Sequence, residues 1–517
     1  MTKKQGKVII LGAGPGDPGL LTLKGKEWLE KADVIIYDYL ANQRFLDYAL
    51  DNAEKIFVGK KKGDHTLSQE QINKLMLKRA KEGKLVIRLK GGDPFIFGRG
   101  GEEAEELVNA GIAFEIVPGV TAATSVPAYA GIPLTHRNFT STITFVTGHE
   151  NSEKEHSKVA WDKISTGIGT LVFLMGVINL PNIVKNLINN GRDKKTPVAI
   201  IRWGTTHKQE TVIGTLENIV ELAKKRKIKP PSIIVAGDVV RLNEKLNWFE
   251  TKPLFKKQII VTRADSQASE FSKLLEKKGA CPFQFPTIET VPPDSWEGLD
   301  KAIQSIEMYD WLIFTSANGV KYFLQRINEN QKDVRCLKGI KLCAIGPKTA
   351  KVLEKLGLRI DFVPAEYKAE AIIEGLGSNE VKGKKILIPR AAVAREVLPE
   401  ELTKLGATVD VVEAYKTIQP KRKTGEIREM LKNKEVDAIT FTSSSTVTNF
   451  ISMFKKEEII DLLNGVTIAC IGPITTDTAE KNGLKVSIIP GDYTIEAFTD
   501  AIVDFYQQRR MPVDGGH

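Results

Sequence analysis

Two glycine-rich segments near the start of the sequence each carry an acidic residue, a composition typical of loops that bind small molecules through their backbone. The first reads Gly12-Ala13-Gly14-Pro15-Gly16-Asp17-Pro18-Gly19. The second reads Lys90-Gly91-Gly92-Asp93-Pro94-Phe95-Ile96-Phe97-Gly98-Arg99-Gly100-Gly101-Glu102. Because glycine permits tight turns and close backbone approach, the five glycines around Asp93 predict a backbone-lined pocket with that carboxylate as its polar anchor.

The first segment also raises the alternative of a dinucleotide site. That fingerprint is G-x-G-x-x-G, whereas the spacing here is G-x-G-x-G. Pro15 and Pro18 remove backbone donors that a pyrophosphate would use. Asp38, after the next apolar run, lies near the place of a ribose-binding acid, so NAD is the competing ligand. The prolines favour a ligand without a pyrophosphate.

Hydroxyl side chains follow several apolar runs in the second half of the sequence. The segments are Phe314-Thr315-Ser316-Ala317-Asn318-Gly319, Gly346-Pro347-Lys348-Thr349, Phe441-Thr442-Ser443 and Gly472-Pro473-Ile474-Thr475-Thr476. Hydroxyls and backbone N–H groups suit an anionic substrate, but the same residues serve equally well as helix caps. Both roles are compatible, because the first N–H groups of a capped helix can also bind an anion.

Alternating β and α patterns must position these loops. Short apolar runs such as Val8-Ile9-Ile10-Leu11 and Leu85-Val86-Ile87-Arg88-Leu89 predict buried strands, and longer amphipathic stretches between them predict helices. This rhythm predicts β/α units with largely parallel sheets. A chain of 517 residues is too long for one hydrophobic core, and the break in pattern at 248–257, with Pro253, predicts a linker between two halves.

The second half contains an internal repeat. Arg263 after its strand matches Arg390, Thr315 matches Thr442, and Gly346 matches Gly472, at spacings of 126 or 127 residues. Such a repeat predicts two similar α/β lobes facing a cleft, where small molecules bind beyond the carboxyl ends of the strands.

The bulk composition limits the function classes. The net charge of +10 favours an anionic partner, but the lysines are scattered, so we predict neither nucleic-acid nor membrane binding. The four cysteines form no CxxC pair and have no histidine cluster beside them, so we predict no disulfide framework and no metal site. The amino terminus carries no apolar leader, which predicts a cytoplasmic protein.

The first half resembles the uroporphyrinogen-III C-methyltransferases, within the wider family of tetrapyrrole methyltransferases. The resemblance runs from about Lys7 to Arg241 and includes both glycine-rich segments and three further motifs: Pro118-Gly119-Val120-Thr121-Ala122, Ala130-Gly131-Ile132-Pro133-Leu134-Thr135-His136-Arg137 and Phe173-Leu174-Met175-Gly176. It implies a homodimer in which two α/β domains enclose S-adenosylmethionine. By position, the cofactor contacts would be Pro15, Gly91, Gly92, Asp93, Ile96, Thr121, Ala122, Met175 and Gly204. The sequence departs from the common pattern at Tyr39-Leu40 after Asp38 and at Trp203 before Gly204.

The same resemblance implies Asp38 as proton acceptor and Lys60 as proton donor. Methylation of a pyrrole carbon requires that a proton later leave the macrocycle, which is work for such groups. Lys60 could instead pair with a substrate carboxylate or remain solvated. Arg99, His136 and Arg137 are candidate partners for substrate carboxylates, with a plain surface role as the alternative.

Residues 258 to about 505 resemble uroporphyrinogen-III synthases. The motifs that carry this resemblance are Val261-Thr262-Arg263, the hydroxyl-rich segments above and Val412-Glu413-Ala414-Tyr415-Lys416-Thr417. The family implies cyclisation of hydroxymethylbilane with inversion of the last ring, and Tyr415 matches the position proposed for a weak acid. Candidate substrate contacts are Arg263, Ser316, Asn318, Thr349, Arg390, Thr442, Ser443, Thr475 and Thr476.

The expected fold is therefore α/β, with a two-domain tetrapyrrole methyltransferase fold followed by a bilobed, internally duplicated synthase-like fold. We expect methyltransferase lobes at 1–118 and 119–247, a linker at 248–257, one synthase lobe at 258–288 plus 416–510 and the other at 289–415. The expected function is bifunctional: synthesis of uroporphyrinogen III and its methylation through precorrin-1 to precorrin-2. One alternative is a methyltransferase of another corrin precursor. Another is a second half that binds a tetrapyrrole without turning it over.

Overall fold

A computed structural model describes residues 6–59, 67–148, 159–364, 372, 375–376, 380–392, 397–420 and 424–509. The chain divides into two compact units, Met1–Lys257 with Lys278–Cys281, and Gln258–Lys277 with Pro282–His517. Among the helices in the described part of the chain, none is long and apolar enough to cross a membrane.

The first unit opens with a five-stranded parallel sheet in the order β3-β2-β4-β1-β5. Its strands are β1 Lys7–Gly12, β2 Val34–Tyr37, β3 Glu54–Phe57, β4 Leu85–Lys90 and β5 Ala113–Val117, and its helices are Leu23–Leu29, Gln69–Lys81 and Gly100–Asn109. The helix Gln69–Lys81 begins at a capping box made by Ser68 and Gln71. Apolar side chains pack on both faces of the sheet, which explains why the strands read as continuous apolar runs.

An ion pair joins the edge strand of this sheet to its neighbours. Glu115 on β5 accepts hydrogen bonds from Lys7 at 2.7 Å and from the indole of Trp28 at 3.3 Å, and its carboxylate lies 2.6 Å from Lys24 Nζ. These contacts, with that of Lys24 the strongest, lower the pKa of Glu115 to about 2.

A second sheet of the first unit has the order β6-β7-β10-β8-β9. Its strands are β6 Ile143–Thr147, β7 Thr170–Leu174, β8 Pro197–Arg202, β9 Glu210–Thr215 and β10 Ser232–Ala236, and its helices are Ala122–Tyr129, Trp161–Gly167, Leu180–Asn189, Ile219–Lys225 and Asn243–Leu246. Only β6 and β7 pair in parallel, so the prediction of largely parallel sheets is wrong here. The connection from β8 to β9 is too short for a crossover helix, and such a connection can only make an antiparallel pair.

The predicted linker at 248–257 is not an exposed connection. Phe249 and Leu254 are buried within the first unit, and the ring of Phe249 packs against that of Tyr129. The indole N–H of Trp248 donates to the carbonyl of Ala128. This segment therefore packs on the first unit.

The second unit contains two further five-stranded sheets. Its strands are β11 Gln258–Val261, β12 Cys281–Gln284, β13 Glu289–Val291, β14 Trp311–Phe314, β15 Lys341–Ala344, β16 Lys385–Ala391, β17 Thr408–Ile418, β18 Ala438–Phe441, β19 Thr467–Cys470 and β20 Val486–Ile488. Their helices are Asp265–Lys277, Glu297–Gln304, Ala317–Glu329, Pro347–Glu354, Val397–Lys404, Gly425–Lys432, Ser444–Ser452, Lys456–Leu462, Pro473–Lys481 and Ile495–Gln508. The orders are β12-β11-β18-β19-β20 and β13-β17-β16-β14-β15, and in the second of these only the β13–β17 pair is antiparallel.

The internal repeat is interleaved between these two sheets. Strands β11 and β12 of the first copy lie beside β18 and β19 of the second copy. Correspondingly, β16 and β17 of the second copy lie beside β14 and β15 of the first. Repeat-related strands thus occupy equivalent places in the two sheets, and each five-stranded sheet takes two strands from one copy and three from the other.

Candidate functional sites

Three glycines bring the carboxyl ends of β1, β4 and β5 into backbone contact. A Cβ on Gly119 would lie 2.2 Å from the carbonyl oxygen of Gly92, and one on Gly12 would lie 2.5 Å from Gly119 Cα. Gly14 and Gly92 exchange backbone hydrogen bonds of 3.1 and 2.7 Å. Only glycine fits where backbones approach this closely, so the two predicted glycine-rich loops and the Gly119 turn form one cradle.

Asp93 ties this cradle together. One carboxylate oxygen accepts from the N–H of Phe95 at 2.8 Å, and the other accepts from the N–H of Gly119 at 3.0 Å. The predicted polar anchor therefore holds the β4 loop onto the β5 loop, and it also leaves a negative charge at the edge of the cradle. Gly91 packs equally closely on Leu40, while Pro15 and Ile96 are half-buried parts of the same loops.

Two of the remaining predicted cofactor contacts lie near these loops, because Ala122 N is 3.7 Å from the place of a Cβ on Gly92 and Gly204 O is 3.6 Å from that of one on Gly16. Thr121 caps the helix Ala122–Tyr129 by accepting from the N–H of Ala123, so Ala122 is its first residue. Gly204 packs on Val126 of that helix, where a Cβ would lie 2.3 Å from a side-chain carbon. Met175, after β7, has a φ of 56° and is 52% exposed, so it offers an open apolar surface.

Contacts link the β1 loop to the second sheet's loops within the first unit. The N–H of Asp17 donates to Thr205, and the hydroxyl of Tyr129 donates to the Asp17 carboxylate at 2.6 Å. Burial and this carboxylate raise the pKa of Tyr129. The two departures from the family pattern also meet, because the rings of Tyr39 and Trp203 lie 5.9 Å apart.

The β1 loop is poorly arranged for a pyrophosphate. β1 is followed by the three-residue turn Pro18–Leu20 and not directly by a long helix. Asp17 caps that turn by accepting from the N–H of Gly19 at 2.7 Å. A carboxylate therefore stands where a dinucleotide fold presents free N–H groups, which argues against the NAD alternative.

Asp38 follows β2 at the same edge of the sheet. Its carboxylate accepts from the N–H of Leu40 and lies 3.7 Å from Arg88, a buried residue of β4. Arg88 and Lys90 both contact Glu103, which is also buried. Burial and, secondly, the Arg88 guanidinium lower the pKa of Lys90. Lys60, the predicted proton donor, lies outside the described residues.

The predicted carboxylate partners of the first half are not drawn into one cluster by their observed contacts. Arg99 has a φ of 60°, is exposed and pairs with Glu102 at 2.5 Å. His136 contacts its own turn, through the N–H of Asn138 and the ring of Phe139. Arg137 is exposed.

In the second unit, Tyr415 on β17 reaches the helix start that follows β14. Its hydroxyl lies 3.0 Å from Ser316 Oγ, and Ser316 Oγ in turn accepts from the N–H of Gly319 at 3.0 Å. The ring of Tyr322 stacks on that of Tyr415 at 5.7 Å. Burial raises the pKa of Tyr415, and the Ser316 hydrogen bond opposes that rise.

The other predicted hydroxyl contacts are divided between capping and exposure. Ser443 caps the helix Ser444–Ser452, and the hydroxyl of Thr476 donates to the carbonyl of Gly472. Thr349 and Thr475 are buried, whereas Asn318 in the first turn of the helix Ala317–Glu329 and Thr442 directly after β18 are half-exposed. Capping is thus observed for Ser443, and the substrate roles of all these residues stay predictions.

A lysine of one lobe lies within electrostatic range of an arginine of the other lobe in the second unit. Burial and then the nearby Arg263 charge lower the pKa of Lys348, which lies at the start of the helix Pro347–Glu354 in the other lobe. Arg263 follows β11, and its own pKa is lowered by burial. Arg390 is buried at the end of β16. Lys348 was not among the predicted site residues, although the repeated Gly-Pro motif that contains it was a signal.

Comparisons with known proteins match both halves. The family described as "Tetrapyrrole (Corrin/Porphyrin) Methylases" matches residues 7–220, and "Uroporphyrinogen-III synthase HemD" matches residues 269–500. A "Porphyrin biosynthesis protein HemD" of Ruminiclostridium josui is 38% identical over 97% of this chain and 98% of its own length. An "S-adenosyl-L-methionine-dependent uroporphyrinogen III methyltransferase" of Methanosarcina barkeri is 52% identical over 47% of this chain and 96% of its own. A solved uroporphyrin-III C-methyltransferase of Thermus thermophilus is 39% identical, covers 46% of this chain and 99% of that one, and has a TM-score of 0.40.

The fold and the two sites define a fusion enzyme of tetrapyrrole biosynthesis, with a methyltransferase before a uroporphyrinogen-III synthase-like part. The chain belongs to the family of the porphyrin biosynthesis protein HemD of Ruminiclostridium josui. The resemblances derived from the sequence motifs are confirmed for both halves.

Proposed function

We propose that the first unit methylates uroporphyrinogen III to precorrin-2, through precorrin-1, with S-adenosylmethionine as methyl donor. The observation that carries the proposal is the glycine cradle of Gly12, Gly92 and Gly119 held by Asp93. The Methanosarcina relative, whose name states this cofactor and substrate, supports it.

The chemistry of the cradle fits this cofactor. Backbone groups of the loops, the Asp93 carboxylate and the exposed thioether of Met175 offer polar contacts, one negative charge and an apolar wall. These suit a cationic amino-acid nucleoside better than a phosphate ligand. Pro15, Gly91, Ile96, Thr121, Ala122 and Gly204 complete the proposed binding set. When bound, the cofactor supplies an electrophilic methyl group.

Asp38 then serves as the proton acceptor. Methyl transfer to a substituted pyrrole carbon leaves that carbon with four carbon substituents and the macrocycle with a positive charge. A proton must therefore leave from another position of the macrocycle, and a carboxylate at the edge of the cradle can take it. Asp38 is partly exposed there and is held by Leu40 N–H and Arg88. Lys60 is the proposed proton donor, while Arg99, His136 and Arg137 are proposed to bind substrate carboxylates.

For the second unit, we propose cyclisation of hydroxymethylbilane to uroporphyrinogen III with inversion of the last ring. The pair Ser316–Tyr415, at the carboxyl ends of β14 and β17, supports this role. The leaving hydroxyl of the substrate needs a proton, and the Tyr415 phenol can donate it as a weak acid. Arg263, Arg390 and Lys348, with the hydroxyls predicted from the sequence, would hold the substrate carboxylates so that the chain ends meet.

The product of the second unit is then the substrate of the first. We also propose a cytoplasmic homodimer that forms through the methyltransferase part.

One experiment separates the proposed activities. The full chain is incubated with hydroxymethylbilane, with and without S-adenosylmethionine, and the tetrapyrroles are resolved by chromatography and mass. We expect type III uroporphyrinogen alone without S-adenosylmethionine and its dimethylated product with it. Only type I product would refute the synthase proposal and favour a second unit that binds without turnover. Type III product that never gains a methyl group would refute the methyltransferase proposal and favour another corrin precursor as its substrate.

A further inference from the structure

A cluster of buried charges lies under the β4 end of the cofactor cradle. Arg88 and Lys90 alternate with apolar residues on β4, so both project to the face that carries the helix Gly100–Asn109. On that helix Glu103 is fully buried, while Arg88 is 3% and Lys90 5% exposed. None of these three residues belongs to the predicted binding set.

The hydrogen bonds of the cluster are strongly one-sided. A single oxygen of Glu103 accepts from Lys90 at 2.8 Å, from Gln69 at 2.9 Å and from Arg88 Nε at 3.2 Å. The second Glu103 oxygen has no hydrogen-bond partner among the residues that the structure describes. Glu103 thus binds the Nε side of the Arg88 guanidinium, and the two terminal nitrogens are left to contact other groups.

That opposite side faces the end of β2. Arg88 donates to the carbonyl of Ile36 at 3.4 Å, and another guanidinium nitrogen lies 3.7 Å from the Asp38 carboxylate. Ile36 is also the register partner of Arg88 in the sheet. Arg88 therefore spans from a fully buried carboxylate to one that is 29% exposed at the cleft edge.

The charges explain why such a cluster would be placed in a core. Arg88 and Lys90 supply two positive charges and Glu103 one negative charge, so Asp38 supplies the charge that balances them. Apolar residues of similar volume would generally stabilise a sheet at least as well as buried ions. Stability alone therefore does not explain why these charged residues are buried. Their contact with the Asp38 carboxylate at the edge of the cradle is a better explanation.

We propose that Arg88, itself oriented by Glu103, is a positioning residue that holds the Asp38 carboxylate for proton removal. The inference rests on the methyltransferase function proposed above and adds to it the group that holds the Asp38 carboxylate in position. Arg88 acts here through Asp38 and does not itself touch the reacting atoms.

A double-mutant cycle on the full chain tests this role. The variants are Arg88→Met, Asp38→Asn and their combination, each assayed for methyl transfer to uroporphyrinogen III in single turnovers with excess enzyme. We expect Arg88→Met to slow transfer roughly tenfold or more when Asp38 is present, as for removal of one partner of a partly buried ion pair. In the Asp38→Asn background the same change should alter the rate less than about twofold.

Two further measurements separate positioning from folding. S-adenosylmethionine affinity by calorimetry should stay within about twofold of wild type in Arg88→Met, since Arg88 contacts no proposed cofactor residue's side chain. Arg88→Lys keeps the charge and should recover part of the lost rate. If Arg88→Met does not fold, the cycle is run with Arg88→Lys and the same non-additivity is expected. Arg79→Met, which removes a cation paired with Glu54 and Glu82 elsewhere on this sheet, is the matched control and should keep the wild-type rate.

Equal rate losses in the two backgrounds, or no loss at all, would overturn the inference. If Asp38→Asn keeps the wild-type rate, the acceptor role of Asp38 is wrong and this inference falls with it, although methyl transfer stands. If the wild-type chain forms no methylated product, the proposed function itself has failed, and that outcome is visible before any variant is made.

Discussion

Replacing Gly119 by alanine should disable the methyltransferase site and leave the synthase part working. The added Cβ would lie 2.2 Å from the Gly92 carbonyl oxygen and 2.7 Å from Gly12 Cα. All these neighbours are backbone atoms, which cannot rotate away as a flexible side chain can. The β4 and β5 loops must therefore separate by roughly 1 Å to restore ordinary van der Waals contact.

The size of the effect follows from that displacement. Overpacking of this kind costs about 1–3 kcal/mol of stability, which a unit with two well-packed sheets should tolerate. A displacement of about 1 Å at a positioning site can lower the rate about 100-fold. The separation also stretches the hydrogen bond from Gly119 N–H to Asp93, so affinity for S-adenosylmethionine should fall as well.

The assay compares cofactor binding by calorimetry, methyl transfer and uroporphyrinogen III formation in one preparation of Gly119→Ala. Gly167→Ala is the matched control, because a Cβ there meets no atom within 4 Å. Synthase activity serves as the internal measure of folding. Wild-type cofactor affinity and methylation in Gly119→Ala would refute the view that the glycine cradle is the cofactor site.

Three further outcomes are expected. Asp93→Asn keeps one acceptor oxygen of two, so its cofactor affinity should fall about tenfold and that of Asp93→Ala further, with synthase activity unchanged; equal affinities, measured by calorimetry, would contradict this. Ser316→Ala removes the hydroxyl that holds Tyr415 and should slow uroporphyrinogen III formation about tenfold. The control Thr494→Ala removes an equivalent helix cap and should only lower stability by about 1 kcal/mol. Similar rates of uroporphyrinogen III formation in the two variants would contradict a catalytic role for the Ser316–Tyr415 pair. Glu115→Gln should unfold at a lower temperature than wild type at neutral pH, because a carboxylate with a lowered pKa stabilises the fold while it is ionised. The difference in melting temperature should disappear as the pH falls from 4.5 to about 2. A difference that does not depend on pH would refute this.

The sequence predicts the parallel parts of the fold well, for a physical reason. Strands buried on both faces, such as β1 and β4, read as unbroken apolar runs, and the glycine-rich turns that follow them mark their ends. The antiparallel strands β8 and β10 are just as apolar in the core, so hydrophobicity does not reveal their direction. The short connection from β8 to β9 is what indicates an antiparallel pair there.

The candidate sites were predicted unevenly. Glycine spacing locates the cradle because close backbone contact tolerates no side chain, and that constraint is visible in residue types. The Arg88–Glu103 contact has no such local signal, since the two residues come from different elements and each looks like an ordinary charged residue in sequence. The same holds for Lys348, whose significance depends on Arg263 of the opposite lobe.

The duplicated lobes of the second unit are similar in architecture but differ in chemistry. Ser316 and Ser443 occupy repeat-related positions, and each caps the helix that follows its strand. Beside Ser316 stands the Tyr415 hydroxyl, but the residue related to Tyr415 by the same 127-residue spacing is Ile288, which has no hydroxyl. Ser443 Oγ contacts Ser445 instead. Duplication therefore accounts for capped helix starts at repeat-related positions in both lobes, whereas the proposed weak acid is available at this position from one lobe alone. A proton source in one lobe alone suits the proposed reaction, which joins the two ends of one chain and inverts only the last ring.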